Sequence, residues 1–62
     1  MSEREFFVED RRIGEIVDCI TTSNREQAER VLARFIDAEH LRLNERPSPT
    51  LLERYEYWSE RP

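Results

Sequence analysis

The chain contains one cysteine and one histidine, and Cys19 with His40 is therefore its only nucleophile–base pair of that kind. A thiol attacks as the thiolate, so a reactive Cys19 needs a cation or a helix N-terminus beside it to lower its pKa. Its neighbours Glu15 and Asp18 would raise it instead, and a small buried side chain is the better reading. His40 acting as a general base requires a partner within hydrogen-bond reach. The nearest in sequence, Glu39, leaves a helix on a different side, so His40 reads as a cation near a helix C-terminus or as a surface residue. No spacing sets Cys19 against His40. One thiol cannot form an internal disulfide, and one Cys with one His cannot assemble a tetrahedral zinc site. Neither catalysis, nor a cofactor, nor a metal is expected.

Two further stretches invite anion-binding chemistry. Thr21-Thr22-Ser23-Asn24 ahead of a helix would offer free N–H groups to a phosphate, but Glu26 in the first turn repels one, and a plain helix cap suffices. Arg11 and Arg12 at a hairpin tip would suit a β-ribbon entering a nucleic-acid groove. Glu9, Asp10 and Glu15 surround them, and no aromatic residue is interleaved for base stacking. Arg42 and Arg46 are a second candidate pair for phosphates. The balance of 14 acidic against 10 basic residues, net charge −4, disfavours binding through bulk phosphate neutralisation and disfavours an anionic membrane surface.

The C-terminal LLERYEYWSE is the most suggestive stretch. Leu51, Leu52, Tyr55 and Trp58 fall at i, i+1, i+4 and i+7 and share a helix face, which a chain with so little apolar material needs for its core. Tyr57 lies off that stripe. Aromatic and arginine side chains dominate interface energies, so Tyr55, Tyr57, Trp58 and Arg54, together with Arg11 and Arg12, are the candidate partner-binding residues.

The elements that must position these groups follow from the hydrophobic period. Ala28, Val31, Leu32, Phe35 and Ile36 recur at helical spacing, which predicts one amphipathic helix over 23–43. Ser23 with Glu26 has capping-box spacing, Glu26 and Arg30 pair at i,i+4, and Glu29, Arg34 and Asp37 complete the charged face. At the far end His40 and Arg42 suit the helix dipole, Asn44 suits a left-handed C′ position, and Pro47 stops the helix. Residues 5–22 admit two readings. Glu5–Val8 and Glu15–Thr22, rich in aromatic and β-branched residues around the sole glycine, predict a β-hairpin with Phe6 and Val8 on one face and Val17 and Cys19 on one face. A helix over about 3–20, with Ser2 and Glu5 as its capping box, matches Ile13, Ile16, Val17 and Ile20, but it must carry Gly14 and the poor helix formers Ile20-Thr21-Thr22. The hairpin is preferred. Residues 44–50 read as a linker, and a last helix starts either at Ser48 with Pro49 at N1 or at the Thr50–Glu53 capping box.

The predicted fold is thus a single small α+β domain over 1–62: an N-terminal β-hairpin packed on one long central helix, with a short C-terminal helix. An all-α three-helix bundle is the alternative. A chain of 62 residues has a thin core, and a two-stranded sheet is marginal alone, so apolar surface is expected to be shared with another copy or a partner. All ten Lys/Arg residues are arginine, for which GC-rich coding is a better explanation than an interface role. No run approaches a membrane span, the charged start Met1–Glu5 is unlike a signal peptide, and the lone thiol suits the cytoplasm. The expected function is that of a small cytoplasmic, non-catalytic protein, a regulator, inhibitor or accessory subunit of bacterial or phage type, that contacts a larger protein. The alternative is a dimeric DNA-binding transcriptional regulator.

Overall fold

The structure, a computed structural model, describes the backbone of residues 3–60 and the side chains of residues 3–57. The chain runs β1 (Arg4–Asp10), β2 (Glu15–Thr22), α1 (Arg25–Leu32), a single 3₁₀ turn (Ala38–His40), β3 (Leu41–Asn44) and α2 (Pro49–Glu60). The three strands form one antiparallel sheet in the order β2-β1-β3. β1 is the centre of the molecule. Its run Phe6-Phe7-Val8 is apolar on both faces, as a strand covered on both sides requires. Phe6 and Val8 are fully buried in a cluster with Ile20, Ala28 and Leu43, against which Leu32, Phe35 and Leu41 pack, so α1 covers that face. Phe7 points the opposite way by strand alternation and meets the Tyr55 ring edge to face at 6.1 Å, so α2 covers the other.

The hairpin between β1 and β2 closes over Arg11–Gly14. The Gly14 N–H donates to the Asp10 carbonyl at 2.8 Å, and Gly14 takes φ +67°, a left-handed conformation that suits the one residue without a Cβ. The register contains a bulge. Phe7 stands opposite Cys19 and Val8 opposite Asp18, but Glu9 stands opposite Ile16, which leaves Val17 as the extra residue on β2. The expected shared face of Val17 and Cys19 is therefore replaced by one of Ile16 and Cys19. The bulge resets the alternation so that both Ile16 and Ile20 are buried, one on each side of the sheet.

The long central helix does not exist, and neither does a three-helix bundle. α1 ends at Leu32, the N–H groups of Arg34, Phe35, Ala38 and His40 turn to carbonyls three residues back, and 41–44 form a third strand. A straight helix over 23–43 would measure about 30 Å, longer than the 28 Å of the molecule's greatest extent. The strand wins because it places Leu43, and partly Leu41, on the Phe6–Val8 cluster while Arg42 and Asn44 project to the other face. Burying a leucine contributes about 1.5–3 kcal/mol, and pairing adds the third strand a stable small sheet needs. Asn44 keeps negative φ and does not act as a C′ residue; its side-chain oxygen accepts from the Arg46 N–H at 3.0 Å. His40 and Arg42 are not at a helix terminus of the predicted kind. Of the predicted apolar stripe only Ala28 is fully buried, and Ile36 is 96% exposed because the helix has ended before it.

The caps differ by small shifts. Asn24, not Ser23, starts α1, its Oδ1 accepting from the Gln27 N–H at 2.9 Å, while the Gln27 side chain meets the Thr22 hydroxyl at 2.6 Å. Glu26 and Arg30 make the i,i+4 pair at 3.0 Å. α2 starts at Ser48, whose hydroxyl accepts from the Leu51 N–H at 3.3 Å, with Pro49 at N1. The Ser2–Glu5 capping box falls in part outside the described residues, and Glu5 itself lies in β1. Phe6→Ala is expected to cost about 3–5 kcal/mol, comparable with the whole stability of so small a core, so urea titration followed by circular dichroism should lose its cooperative transition. Ile13→Ala, at an exposed position of the hairpin loop, should leave the midpoint nearly unchanged.

Candidate functional site

Polar groups on the sheet first explain what is not available for chemistry. Glu9, on the Phe7 face of β1, is nearly buried, and its Oε1 accepts from Arg42 Nη2 at 3.1 Å and Asn44 Nδ2 at 3.0 Å. That clamp joins β1 to β3 by charge-assisted hydrogen bonds. Glu45 at the end of β3 takes Arg4 from β1 and Arg25 from α1, the latter at 2.6 Å, and the Arg4 guanidinium lies 5.2 Å from the Phe6 ring centre. Arg54 of α2 reaches Glu15 of β2 at 2.6 Å.

The hairpin tip is stitched in the same way. Asp10 accepts from the Arg12 backbone N–H at 2.9 Å, from Nε at 3.1 Å and from Nη2 at 2.9 Å. The Arg12 guanidinium lowers the Asp10 pKa from 3.8 to about 2, and in return Asp10 raises that of Arg12. Arg12 also lies 3.6 Å from Asp37 in the turn after α1, and the Arg11 N–H donates to the His40 carbonyl at 2.7 Å. The tip is thus held to residues 37–40 on the far side of β1.

Cys19 and His40 are not brought together. Cys19 stands opposite Phe7 on β2, whereas His40 precedes β3 on the opposite side of β1; two strand spacings separate those edges by about 10 Å. The Cys19 thiol approaches Glu5 Oε2 at 3.7 Å, and burial, then the Glu5 charge, push its pKa up, the reverse of an activated nucleophile. His40 Nε2 lies 3.7 Å from Glu39, which is itself exposed. Among the described residues no group of three or more His, Cys, Asp or Glu could hold a metal ion, and no helix is long and apolar enough to cross a membrane.

Two concave surfaces stand out among the described residues. The first, about 500 Å³, is lined by Asp10, Arg12, Val17, Arg34, Phe35, Ile36, Asp37 and Leu41, between the bulge of β2 and the turn after α1. The second, about 450 Å³, runs along α2 beside Thr50, Glu53, Arg54 and Tyr57. Of the six candidate partner-binding residues, Tyr55 faces inward on Phe7, and burial raises its pKa, followed by the charges of Asp18, Cys19 and Glu5. Tyr57, two residues on, is 59% exposed. Arg54 shares the second surface with it, Arg12 lines the first, and Arg11 sits exposed on the hairpin loop. The Trp58 side chain lies outside the described residues. The candidates therefore divide between two surfaces. Sequence reasoning assigned Ile36 to the core and Arg34 and Asp37 to a helix face, and so missed the first surface; the Leu41-x-Leu43 alternation was the signal that the helix stops before them.

No family model matches the chain, and no curated protein or solved structure is significantly similar to it.

The Asp10 pKa is depressed on folding, so its contribution to stability is present above pH 3.8 and lost as pH falls toward about 2. Acid titration should show Asp10→Asn lacking that part of the decline; equal slopes for variant and wild type across this window would contradict the assignment. For Cys19, alkylation by iodoacetamide should reach half-maximal rate at a higher pH than an unstructured cysteine peptide does, and Glu5→Gln should bring the two closer. An identical profile in folded protein and peptide would remove the argument.

Proposed function

We propose that the chain is a small cytoplasmic, non-catalytic protein that acts by contact with a larger protein, as a regulator, inhibitor or accessory subunit, through the outer face of α2. The observation that carries this reading is the division of α2. Tyr55 turns inward to Phe7, while Tyr57, set about 200° around the helix from it, stays 59% exposed beside Arg54 along a groove of about 450 Å³. An exposed tyrosine next to an arginine on a rigid helix is the composition of an interface anchor. Because α2 is fixed to the sheet through Phe7–Tyr55 and Arg54–Glu15, binding requires little ordering of its backbone.

The arginine pairing supports protein contact over the DNA-binding alternative. Arg4, Arg12, Arg25, Arg30, Arg42 and Arg54 each face a carboxylate, so most of the described guanidiniums are already neutralised. Affinity for phosphates scales with the cations free to displace counterions. Arg12 in particular would have to leave Asp10 to reach a groove.

The experiment is capture from a lysate of the source cells on immobilised wild type, Tyr57→Ala and Glu29→Ala, the last a control on α1. Wild type and Glu29→Ala should retain the same protein, and Tyr57→Ala should retain it at least about tenfold less, as for a hot-spot residue worth more than 1 kcal/mol. Equal retention by Tyr57→Ala, or no protein with strong salt-dependent retention of DNA, contradicts the proposal.

A further inference from the structure

The first concave surface carries features that the reading of α2 does not use. Ile36 stands 96% exposed on the turn after α1, at the edge of a hollow lined by the apolar Val17, Phe35 and Leu41 and by the Asp10–Arg12 ion pair. A projecting branched side chain beside a hollow that is apolar in part is a knob and a hole on one surface. The charges around it are also matched. Arg34 makes no ion pair among the described residues, while the Asp37 carboxylate, 53% exposed, has only the Arg12 contact at 3.6 Å, a distance beyond a normal hydrogen bond. Arg34 and Asp37, which flank Ile36 in sequence, thus add one cation and one carboxylate to the same surface.

We infer that this surface is the two-fold interface of a homodimer. In an isologous contact, residue i of one copy meets residue j of the other and the reverse. The same patch must therefore hold both members of each pair, as this one does: Ile36 of each copy enters the hollow of the other, and Arg34 of each faces Asp37 of the other. A foreign partner imposes no such self-match. Self-association also supplies the stability that a core of this size lacks and covers Ile36 and Val17, two of the large side chains left in water. The interface lies on the α1 side of the sheet and leaves Tyr57 on α2 open, so it is independent of the function proposed above.

The test is sedimentation equilibrium of the full chain over a concentration series. Wild type should approach twice the 7.6 kDa chain mass by about 0.1 mM, a modest affinity for a small interface. Ile36→Asp should raise the dimer dissociation constant at least about tenfold with circular dichroism unchanged. Arg34→Asp should do the same by setting two carboxylates against each other across the axis. Tyr57→Ala should leave the mass unaltered, which separates this result from that of the capture experiment. A wild type still monomeric at that concentration, or a dimer indifferent to Ile36→Asp or to Arg34→Asp, overturns the inference.

Discussion

The structure depends on one requirement: β1 must be covered on both faces and paired on both edges. Its Phe6-Phe7-Val8 run exposes apolar surface to either side, and no single helix can reach both. One helix per face is therefore obligatory, with Ala28 on Phe6 and Val8 and with Tyr55 on Phe7. Pairing on both edges follows from the same burial, because backbone N–H and C=O groups inside a covered strand must find partners. β2 supplies one edge through a tight hairpin. β3 supplies the other only if the chain crosses from one side of β1 to the other, and α1 with its following turn is that crossing.

Charge then does what so small an apolar core cannot do alone. Among the described residues five arginine–carboxylate contacts join parts of the chain far apart in sequence: Arg42 to Glu9, Arg4 and Arg25 to Glu45, Arg54 to Glu15, and Arg12 to Asp37. Exposed pairs of this kind contribute little individually. The Glu9 clamp differs because the carboxylate is nearly buried and its second hydrogen bond, from Asn44, comes from the same strand as the first. Removing either donor would leave a buried charge undersatisfied, so the clamp specifies the register of β3 on β1 more than it adds stability. The planar guanidinium suits this work, which gives the all-arginine composition a structural use alongside its genomic explanation.

How far the chain was legible follows from how local each signal is. The hairpin strands, the Gly14 turn, the Glu26–Arg30 pair and the Ser48–Pro49 start of α2 rest on residues close in sequence, and each is present. The third strand was not legible because 41–44 read equally as a helix end: His40, Arg42 and Asn44 suit a C-terminus, and only Leu41 and Leu43 speak for a strand. The decision is tertiary, since Leu43 gains its burial from Phe6 and Val8, more than 30 positions earlier. The bulge at Val17 was hidden for the same kind of reason. A period of two or of three and a half assumes an unbroken element, and an inserted residue moves Ile16 to the opposite face without changing composition. On the surface, the outward setting of Tyr57 could be read from its offset to the Leu51–Tyr55 stripe, whereas the exposure of Ile36 could not, because it depends on where α1 stops.

The stop after Leu32 thus governs both the fold and the surface. Had the helix continued, Ile36 would have lain with Leu32 on the buried stripe, and Arg34 and Asp37 would have pointed to water as ordinary solvating charges. The helix ends because β1 needs its second edge paired, and the turn that makes this possible carries Phe35 inward to the core and leaves Ile36, the next residue, outside. A side chain of that kind left in water is tolerated singly. Here it stands beside a hollow lined by Val17, which the bulge has likewise placed outside the core. Both exposures come from devices that complete the sheet, so the surface available for contact on this side follows from the way β1 is closed, while Tyr57 on α2 follows from the helix period alone.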